Sequence, residues 1–203
     1  MTRSLISLFV LFLSACATTP PPIKLLSEPP SPAQERSWQQ HFQRVNQTSS
    51  WTLEGRIAVK TDDDGWNGEL NWSQRFNDYG IQFSAPFGQG AFQLDGNATG
   101  VEIRFSDGKT FQAADAETLL VEQLGWHLPL SGFRYWVTGI PKPELTSVLK
   151  YRPDGRLAAL QQGQWLVTYP EYMDIGEVMM PRKVFLENHE LSVRLVIDRW
   201  ELK

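Results

Sequence analysis

The chain has 203 residues, a length that fits a single domain with a sizeable core, and it carries 19 basic against 23 acidic side chains. The net charge of −4 argues against nucleic acid as a partner and against electrostatic adhesion to an anionic membrane, because both require clustered Lys and Arg. A single cysteine excludes a disulfide framework and a cysteine metal site.

The first 15 residues have the pattern of a removable bacterial lipoprotein signal. Arg3 gives a positive start, residues 5–13 are an apolar run too short to span a bilayer, and Leu13-Ser14-Ala15-Cys16 resembles a lipobox. In such a sequence the cut falls before the cysteine, whose sulfur carries a diacylglycerol and whose new amino terminus is acylated. Cys16 is therefore the predicted lipid attachment site. The alternative is an ordinary secretory signal in which the cysteine falls by chance.

Residues 16–30 are predicted to form a lipidated, proline-rich tether. Ala17 stands where an aspartate would retain a bacterial lipoprotein in the inner membrane, so the resemblance implies a lipid-anchored position on the periplasmic face of the outer membrane. Six prolines lie between Pro20 and Pro32. At about 3.1 Å per residue in polyproline geometry, the tether reaches roughly 40 Å and lets a single folded domain over 31–203 swing clear of the headgroups.

The folded part is predicted to begin with a helix at Ser31-Pro32-Ala33-Gln34. This run offers a capping serine, a proline at the first helical position and a glutamine where a capping box requires it. Trp38, Phe42 and Val45 then recur with helical spacing and form one narrow apolar stripe. His41 lies off that stripe, and we expect it on the solvated surface.

From Trp51 onward the hydrophobic period changes to two. Apolar residues alternate with polar ones, as is typical of an antiparallel sheet with one apolar face. Turn residues such as Asp62-Asp63-Asp64-Gly65 and Asp107-Gly108 separate the segments. The predicted strands lie at 51–60, 66–72, 79–83, 92–94, 101–105, 146–151, 157–161, 165–169, 183–187 and 191–200.

A helical insertion interrupts the strands. Asp115 as a cap and Gly125 as a terminator predict one helix over 115–124, and a second short helix is expected over 132–138. The fold class is therefore mainly β with a helical insertion (α+β). The predicted architecture is an open antiparallel half-barrel of about 10–11 strands capped by short helices.

The apolar face of such a sheet must be covered. Three short helices would leave it incompletely filled, which predicts a hydrophobic cavity suited to hydrocarbon. A fully packed core is the alternative, and the pattern alone does not separate the two. The predicted cavity walls are Trp51, Ile57, Leu70, Trp72, Ile81, Phe83 and Phe105.

One turn breaks the alternation by placing a large aromatic at its centre. Pro86 at the second position and Gly88 at the fourth fit a type I turn with Phe87 at the third. Turn tips face water, so a phenylalanine there has two interpretations. It folds back as a lid on the core, or it is an exposed apolar probe that is stabilised only on contact with lipid or a partner.

Catalytic and metal-binding patterns are missing from the sequence. No serine lies in a nucleophile elbow, no H-E-x-x-H is present, and His41, His127 and His189 are too far apart in the chain for metal-ligand spacing. The run 62–65 fails the calcium-loop spacing. We therefore expect no enzyme, no metal and no cofactor.

Two groups of motifs resemble the LolB family of outer-membrane lipoprotein receptors. Ala85-Pro86-Phe87-Gly88 followed by Ala91-Phe92-Gln93-Leu94 resembles that family's protruding-loop hairpin. The segments Asp115-Ala116-Glu117, Gly125-Trp126-His127-Leu128-Pro129-Leu130 and Trp136-Val137-Thr138-Gly139-Ile140-Pro141 are similar to its helical insertion. The resemblance covers the lipobox and nearly all of 31–203.

The resemblance implies a half-barrel with a hydrophobic cavity for acyl chains. A member of this family takes acylated lipoproteins from the periplasmic carrier LolA and places them in the lipid of the outer membrane, and we expect it to be a monomer. Its insertion loop carries an apolar residue, commonly leucine. The matching position is Phe87, flanked by Pro86 and Gly88.

Two other functions remain open. The first is a structural or assembly-factor lipoprotein that binds a protein partner through its sheet, without lipid transfer. A lipid-modifying enzyme is the second, and the missing catalytic patterns weigh against it.

Overall fold

The computed structural model describes residues 29–88 and 90–203. Cys16, the predicted signal peptide and most of the predicted tether lie outside the described residues. The elements in chain order are α1 (Pro32–Gln47), β1 (Ser50–Thr61), β2 (Gly65–Arg75), β3 (Asp78–Ser84), β4 (Ala91–Asn97), β5 (Gly100–Phe105), β6 (Thr110–Ala113), α2 (Ala116–Leu124), α3 (Leu130–Trp136), β7 (Ser147–Tyr151), β8 (Leu157–Gln162), β9 (Trp165–Ile175), β10 (Val178–Glu187) and β11 (Leu191–Leu202).

All eleven strands belong to one antiparallel sheet. Its order is β6-β5-β4-β3-β2-β1-β11-β10-β9-β8-β7, so β6 and β7 form the two edges and the sheet is open. The predicted fold class, mainly β with a helical insertion, is confirmed, and so is the open antiparallel architecture with short helices.

β1 lies at the centre of the sheet and shows why the sequence alternates. It pairs with β2 on one side and β11 on the other over nearly its whole length. Its odd-numbered residues from Trp51 to Val59 are buried, whereas Glu54, Arg56 and the other residues between them face outward. Gly55 is required at the bulge between β1 and β11, because a Cβ there would collide with the carbonyl oxygen of Val196.

The structure departs from the predicted elements in several places. β6 was missed, because it has four residues and no buried side chain. β9 continues beyond its predicted end at 169 to Ile175, and β10 begins at Val178, before its predicted start at 183. In these added residues burial is partial and the period of two is lost. α3 begins at Leu130, two residues before the expected start at 132, directly after Pro129 at its N-cap.

α1 begins as its sequence predicts and packs along the β8–β10 side of the molecule. Ser31 and Gln34 form the capping box, and the side chain of Gln34 also donates to the carbonyl oxygen of Arg152 over 3.1 Å. Trp38 is buried in the core and contacts the ring of Tyr151 at a centroid distance of 5.9 Å. The helix is thus fixed to the turn between β7 and β8.

The end of α3 is fixed to the sheet by a buried polar cluster around Gln162. The indole nitrogen of Trp136 donates to Oε1 of Gln162 over 2.7 Å, and the backbone N–H of Lys142 donates to the same oxygen over 2.8 Å. The hydroxyl of Tyr169 donates to the carbonyl oxygen of Trp136 over 3.0 Å. These bonds join α3 and the chain after it to β8 and β9.

His41 is not a solvated surface residue, so that expectation is wrong. Its ring lies 6.1 Å from that of Trp38 and 6.3 Å from that of Tyr172, and its Nε2 is buried with no hydrogen-bond partner among the described residues. The pKa of His41 is lowered from 6.5 to about 4, mainly because burial disfavours the charged ring. The charges of Arg156 and Arg44 act in the same direction, and that of Asp154 acts against them.

The buried histidine predicts that stability falls in mild acid. Between pH 6.5 and about 4 the unfolded chain binds a proton at His41 that the folded chain does not, so the free energy of unfolding decreases as the pH falls. At about pH 5 the loss reaches at most about 2 kcal/mol. His41→Phe keeps the ring contacts, and we expect its free energy of unfolding, measured by chemical denaturation, to change less between about pH 7 and pH 5.

The control is His127→Phe, because His127 is exposed beyond the end of α2. This variant should retain the pH dependence of the unsubstituted protein. Equal pH dependence in both variants would contradict the role given to His41.

Candidate functional site

A wholly apolar space lies between the concave face of β1–β4 and the helical layer above it. Its volume is about 30 Å³, and every residue that lines it is hydrophobic. The sheet provides the floor, and α2, α3 and the loop between them provide the roof. The lining residues are Ile57, Leu70, Trp72, Ile81, Phe83, Phe92, Leu94, Leu120, Trp126, Leu128, Leu130 and Phe133.

Aromatic contacts close this space. The ring of Phe133 in α3 lies 5.4 Å from that of Trp72, and Trp126 lies 6.3 Å from Phe83 and 5.9 Å from Phe92. Phe83 and Phe92 stack on each other across the β3–β4 pair at 5.2 Å. The floor and the roof therefore touch through broad flat rings, which accounts for the abundance of Trp and Phe in the sequence.

Five of the seven predicted wall residues line this space: Ile57, Leu70, Trp72, Ile81 and Phe83. The other two face inward but lie elsewhere. Trp51 packs between Trp72 and Trp200, at centroid distances of 5.2 and 5.3 Å. Phe105 lies near the sheet edge, 6.1 Å from Phe111, and is only partly buried.

Sequence reasoning did not assign the roof residues to the site. Leu120 lies in the helix predicted over 115–124, and Trp126 and Leu128 follow Gly125 in a loop with no regular period. The residue types of Trp126 and Leu128 could have indicated their position, because two large apolar residues in a loop after the end of a helix usually pack on the core.

The volume decides what this conformation can hold. A cavity of about 30 Å³ has room for roughly one or two water molecules, which is far less than an acyl chain needs. The described conformation is therefore closed and close to the packed alternative. An open acyl-chain cavity stays a prediction.

Phe87 is the most exposed large hydrophobic residue of the described chain, with 99% of its surface accessible. Its backbone has φ 56° and ψ 24°, so the predicted type I turn is wrong, because that turn requires a negative φ at the third position. Pro86 and Gly88 flank it, and the backbone N–H of Ala85 closes the loop by donating to the carbonyl oxygen of Gly90 over 2.8 Å. The side chain is not folded onto the core.

No group of His, Cys, Asp and Glu within the described ranges is arranged to hold a metal ion. In the same part of the chain, no helix combines the length and the hydrophobicity needed to cross a membrane.

Sequence comparisons identify the family. The family model described as Outer membrane lipoprotein LolB matches residues 49–200. The Outer-membrane lipoprotein LolB of Nitrosococcus oceani is 37% identical over 201 residues, covering 98% of this chain and 96% of that protein. The protein of the same name from Pseudomonas aeruginosa is 35% identical over 166 residues, covering 82% of this chain and 81% of its own.

Two solved structures share the fold at low sequence identity. A DUF1329 family protein from Desulfovibrio piger gives a TM-score of 0.56 at 6% identity and covers 84% of this chain and 92% of its own. A putative outer membrane lipoprotein-sorting protein domain from Vibrio parahaemolyticus gives a TM-score of 0.51 at 8% identity, with coverage of 83% and 91%. These two likenesses support the open sheet alone.

The matched region includes both the aromatic-lined space and the exposed loop. The family and the relatives are named as outer-membrane lipoproteins, and the expectation that this chain is not an enzyme is confirmed by that membership. The chain belongs to the LolB family of outer-membrane lipoproteins.

Proposed function

We propose that the protein receives acylated lipoproteins from a periplasmic carrier of the LolA type, holds their acyl chains between the sheet and the helical layer, and inserts them into the outer membrane. The observation that carries this proposal is the wholly apolar boundary between β1–β4 and the roof formed by 120–133. Hydrocarbon matches that boundary in chemistry, whereas a polar ligand would lose its hydration there without replacement hydrogen bonds.

Acyl chains enter only when the helical layer moves away from the sheet, because the closed space holds about 30 Å³. Over β2–β4 the two layers meet through ring and aliphatic contacts, which an acyl chain replaces with contacts of the same kind. The hydrogen bonds of Gln162 and Tyr169 hold the far end of α3 to β8 and β9. This arrangement favours a roof that lifts over β2–β4 and stays attached at β8–β9.

The closed state suits a receptor that must also release its cargo. Opening the roof exposes apolar surface to water, which costs free energy. Each methylene of the cargo that is buried offsets about 0.8 kcal/mol of that cost. Acyl chains are therefore held less tightly than in a preformed cavity of the same chemistry. Transfer then follows the order of affinities from carrier to receptor to bilayer.

Phe87 is the proposed membrane-insertion residue, with Pro86 and Gly88 shaping its loop. Burying its ring in lipid contributes about 1.5–3 kcal/mol, which suffices for brief contact but not for stable attachment. Permanent anchoring is assigned to the lipid on Cys16, which lies outside the described residues. In this proposal residues 1–15 are removed and 16–30 serve as the tether.

The acyl-chain site is tested by photolabelling the membrane-reconstituted protein with a triacylated lipopeptide that carries a diazirine in one chain. We expect adducts on the inward-facing Ile81 and Phe83, and none on Gln82, which lies between them and faces outward. An excess of unlabelled lipopeptide should suppress the adducts. Labelling confined to the outward face, or absent altogether, would refute the proposed function.

The insertion loop is tested by Phe87→Glu. Because the ring is almost fully exposed, the variant should keep the melting temperature of the unsubstituted protein and should still accept cargo from the carrier. It should fail to deliver cargo to liposomes, since a carboxylate would have to be desolvated in the bilayer. Cargo retained on the receptor and cargo found in the liposomes are measured in the same transfer assay.

Two controls accompany this variant. Phe87→Leu should deliver normally, because only apolar volume at the tip is required. Phe76→Glu is the matched variant. Phe76 is 70% exposed and, like Phe87, has a left-handed backbone, with a φ of 53°, but it lies at the other end of β3. Normal delivery by Phe87→Glu, or equal loss in Phe76→Glu, would exclude a specific role for the loop.

Lipid attachment is tested by Cys16→Ala. We expect the variant to incorporate no labelled acyl chain and to be recovered either uncleaved or free of the membrane, because Cys16 is the only cysteine in the sequence. Metabolic labelling with a radioactive fatty acid measures the attachment. Label that persists on the variant would overturn the lipobox assignment.

A further inference from the structure

A polar vestibule of about 430 Å³ adjoins the closed apolar space. Trp72 from the sheet and Leu130 from α3 line both, so the two spaces are neighbours at these residues. The vestibule opens between the first turns of α2 and α3 and the end of the sheet that carries Tyr79 and Val101. A ligand whose hydrocarbon lies in the apolar space would therefore place its polar part in the vestibule.

The vestibule contains two cations that hydrogen-bond to neutral groups. Arg134 donates from Nη1 to Oδ1 of Asn77 over 3.2 Å and from Nη2 to the hydroxyl of Tyr135 over 2.7 Å. Lys142 donates from Nζ to Oγ of Ser131 over 3.1 Å. Within the described ranges no carboxylate forms an ion pair with either cation. Both are partly buried and retain N–H donors for a ligand.

Carboxylates on the same walls decide which ligand suits these donors. Asp115 accepts from the backbone N–H of Thr118, and Glu117 accepts from that of Ser131, so both are committed to helix starts. With Glu144 they give three negative charges against two positive ones in the lining. A phosphate would meet this net negative surround, whereas an uncharged acceptor meets only the donors.

We infer that the vestibule binds the uncharged carbonyl oxygens of the acylated cysteine of the cargo, through hydrogen bonds from Arg134 and Lys142. This group carries ester carbonyls on its diacylglycerol and an amide carbonyl on its acylated nitrogen, and it bears no charge. Its acyl chains begin at those carbonyls, as the junction at Trp72 and Leu130 requires. The inference rests on the proposed function, since it assumes that the chains occupy the apolar space.

The test compares a triacylated lipopeptide with its ether analogue, which has the same chains and lacks the ester carbonyls. Each competes with the diazirine lipopeptide for photolabelling of the full-length protein in nanodiscs. Each lipopeptide also partitions into the nanodisc bilayer. That partition does not depend on the protein variant, so it cancels when the ester-to-ether binding ratios of two variants are compared. The unsubstituted protein should bind the ester form about tenfold more tightly or better, the ratio expected from one charge-assisted hydrogen bond.

Substitution of the two donors should remove this preference. The double variant Arg134→Met, Lys142→Met should bind the ester form about as weakly as the ether form. The ether form keeps only the amide carbonyl, so its binding should weaken less than that of the ester form. Arg134→Lys keeps a donor and should retain most of the preference. Lys60→Met, an exposed lysine on the outward face of β1, is the matched control and should behave as the unsubstituted protein.

The outcomes separate this inference from the proposed function. Photolabelled Ile81 and Phe83 without any preference for the ester form would overturn the vestibule assignment and leave the acyl-chain site standing. Competition by phosphatidylglycerol as strong as that of the lipopeptide would also overturn it. Thermal denaturation checks the fold of each variant, and Arg134→Lys and the single Lys142→Met decide the question if the double variant is unfolded.

Discussion

The structure depends on how little helix covers the apolar face of a large open sheet. α2 and α3 contribute 9 and 7 residues, and they must cover the inward side chains of β1–β4 together with part of β8 and β9. Short helices achieve this only with large side chains. Trp126, Phe133 and Trp136 therefore span the gap that longer helices would close with aliphatic residues, and each contacts another aromatic ring across it.

Much of the fold could be predicted from local sequence patterns. The alternation that begins at Trp51 and the capping box at Ser31 each depend on neighbours in sequence, and both elements formed as predicted. The closure of the cavity and the burial of His41 depend on contacts between distant segments, which no period encodes. Phe105 shows the same limit of sequence-based prediction within the site. The alternation correctly predicts that its side chain faces inward, but it does not predict that its strand lies next to the edge of the sheet.

The two exposed phenylalanines with left-handed backbones differ in what holds them. The backbone N–H of Phe76 donates to Ser49, and its carbonyl oxygen accepts from the buried side chain of Gln74 over 2.8 Å. Those bonds offset the cost of a left-handed residue, which is about 1–2 kcal/mol. Phe87 lies instead in a loop closed by the bond between Ala85 and Gly90. Among the described residues no side-chain hydrogen bond supports its conformation, and the ring faces the surroundings with 99% of its surface accessible.

The β3–β4 hairpin connects the proposed acyl-chain site to the proposed insertion loop. Phe83 and Phe92 are paired in the register one step before the Ser84–Ala91 pair, from which the loop of Phe87 leaves the sheet. Ile81 lies further from the loop along β3, and it pairs with Trp72 of β2, which also lines the vestibule. A chain whose carbonyl lies in the vestibule therefore points its methyl end at the loop. In the proposed transfer, this orientation would bring the apolar end of the cargo to the bilayer first. The hydrocarbon would then pass from one apolar environment to another before the polar end is released.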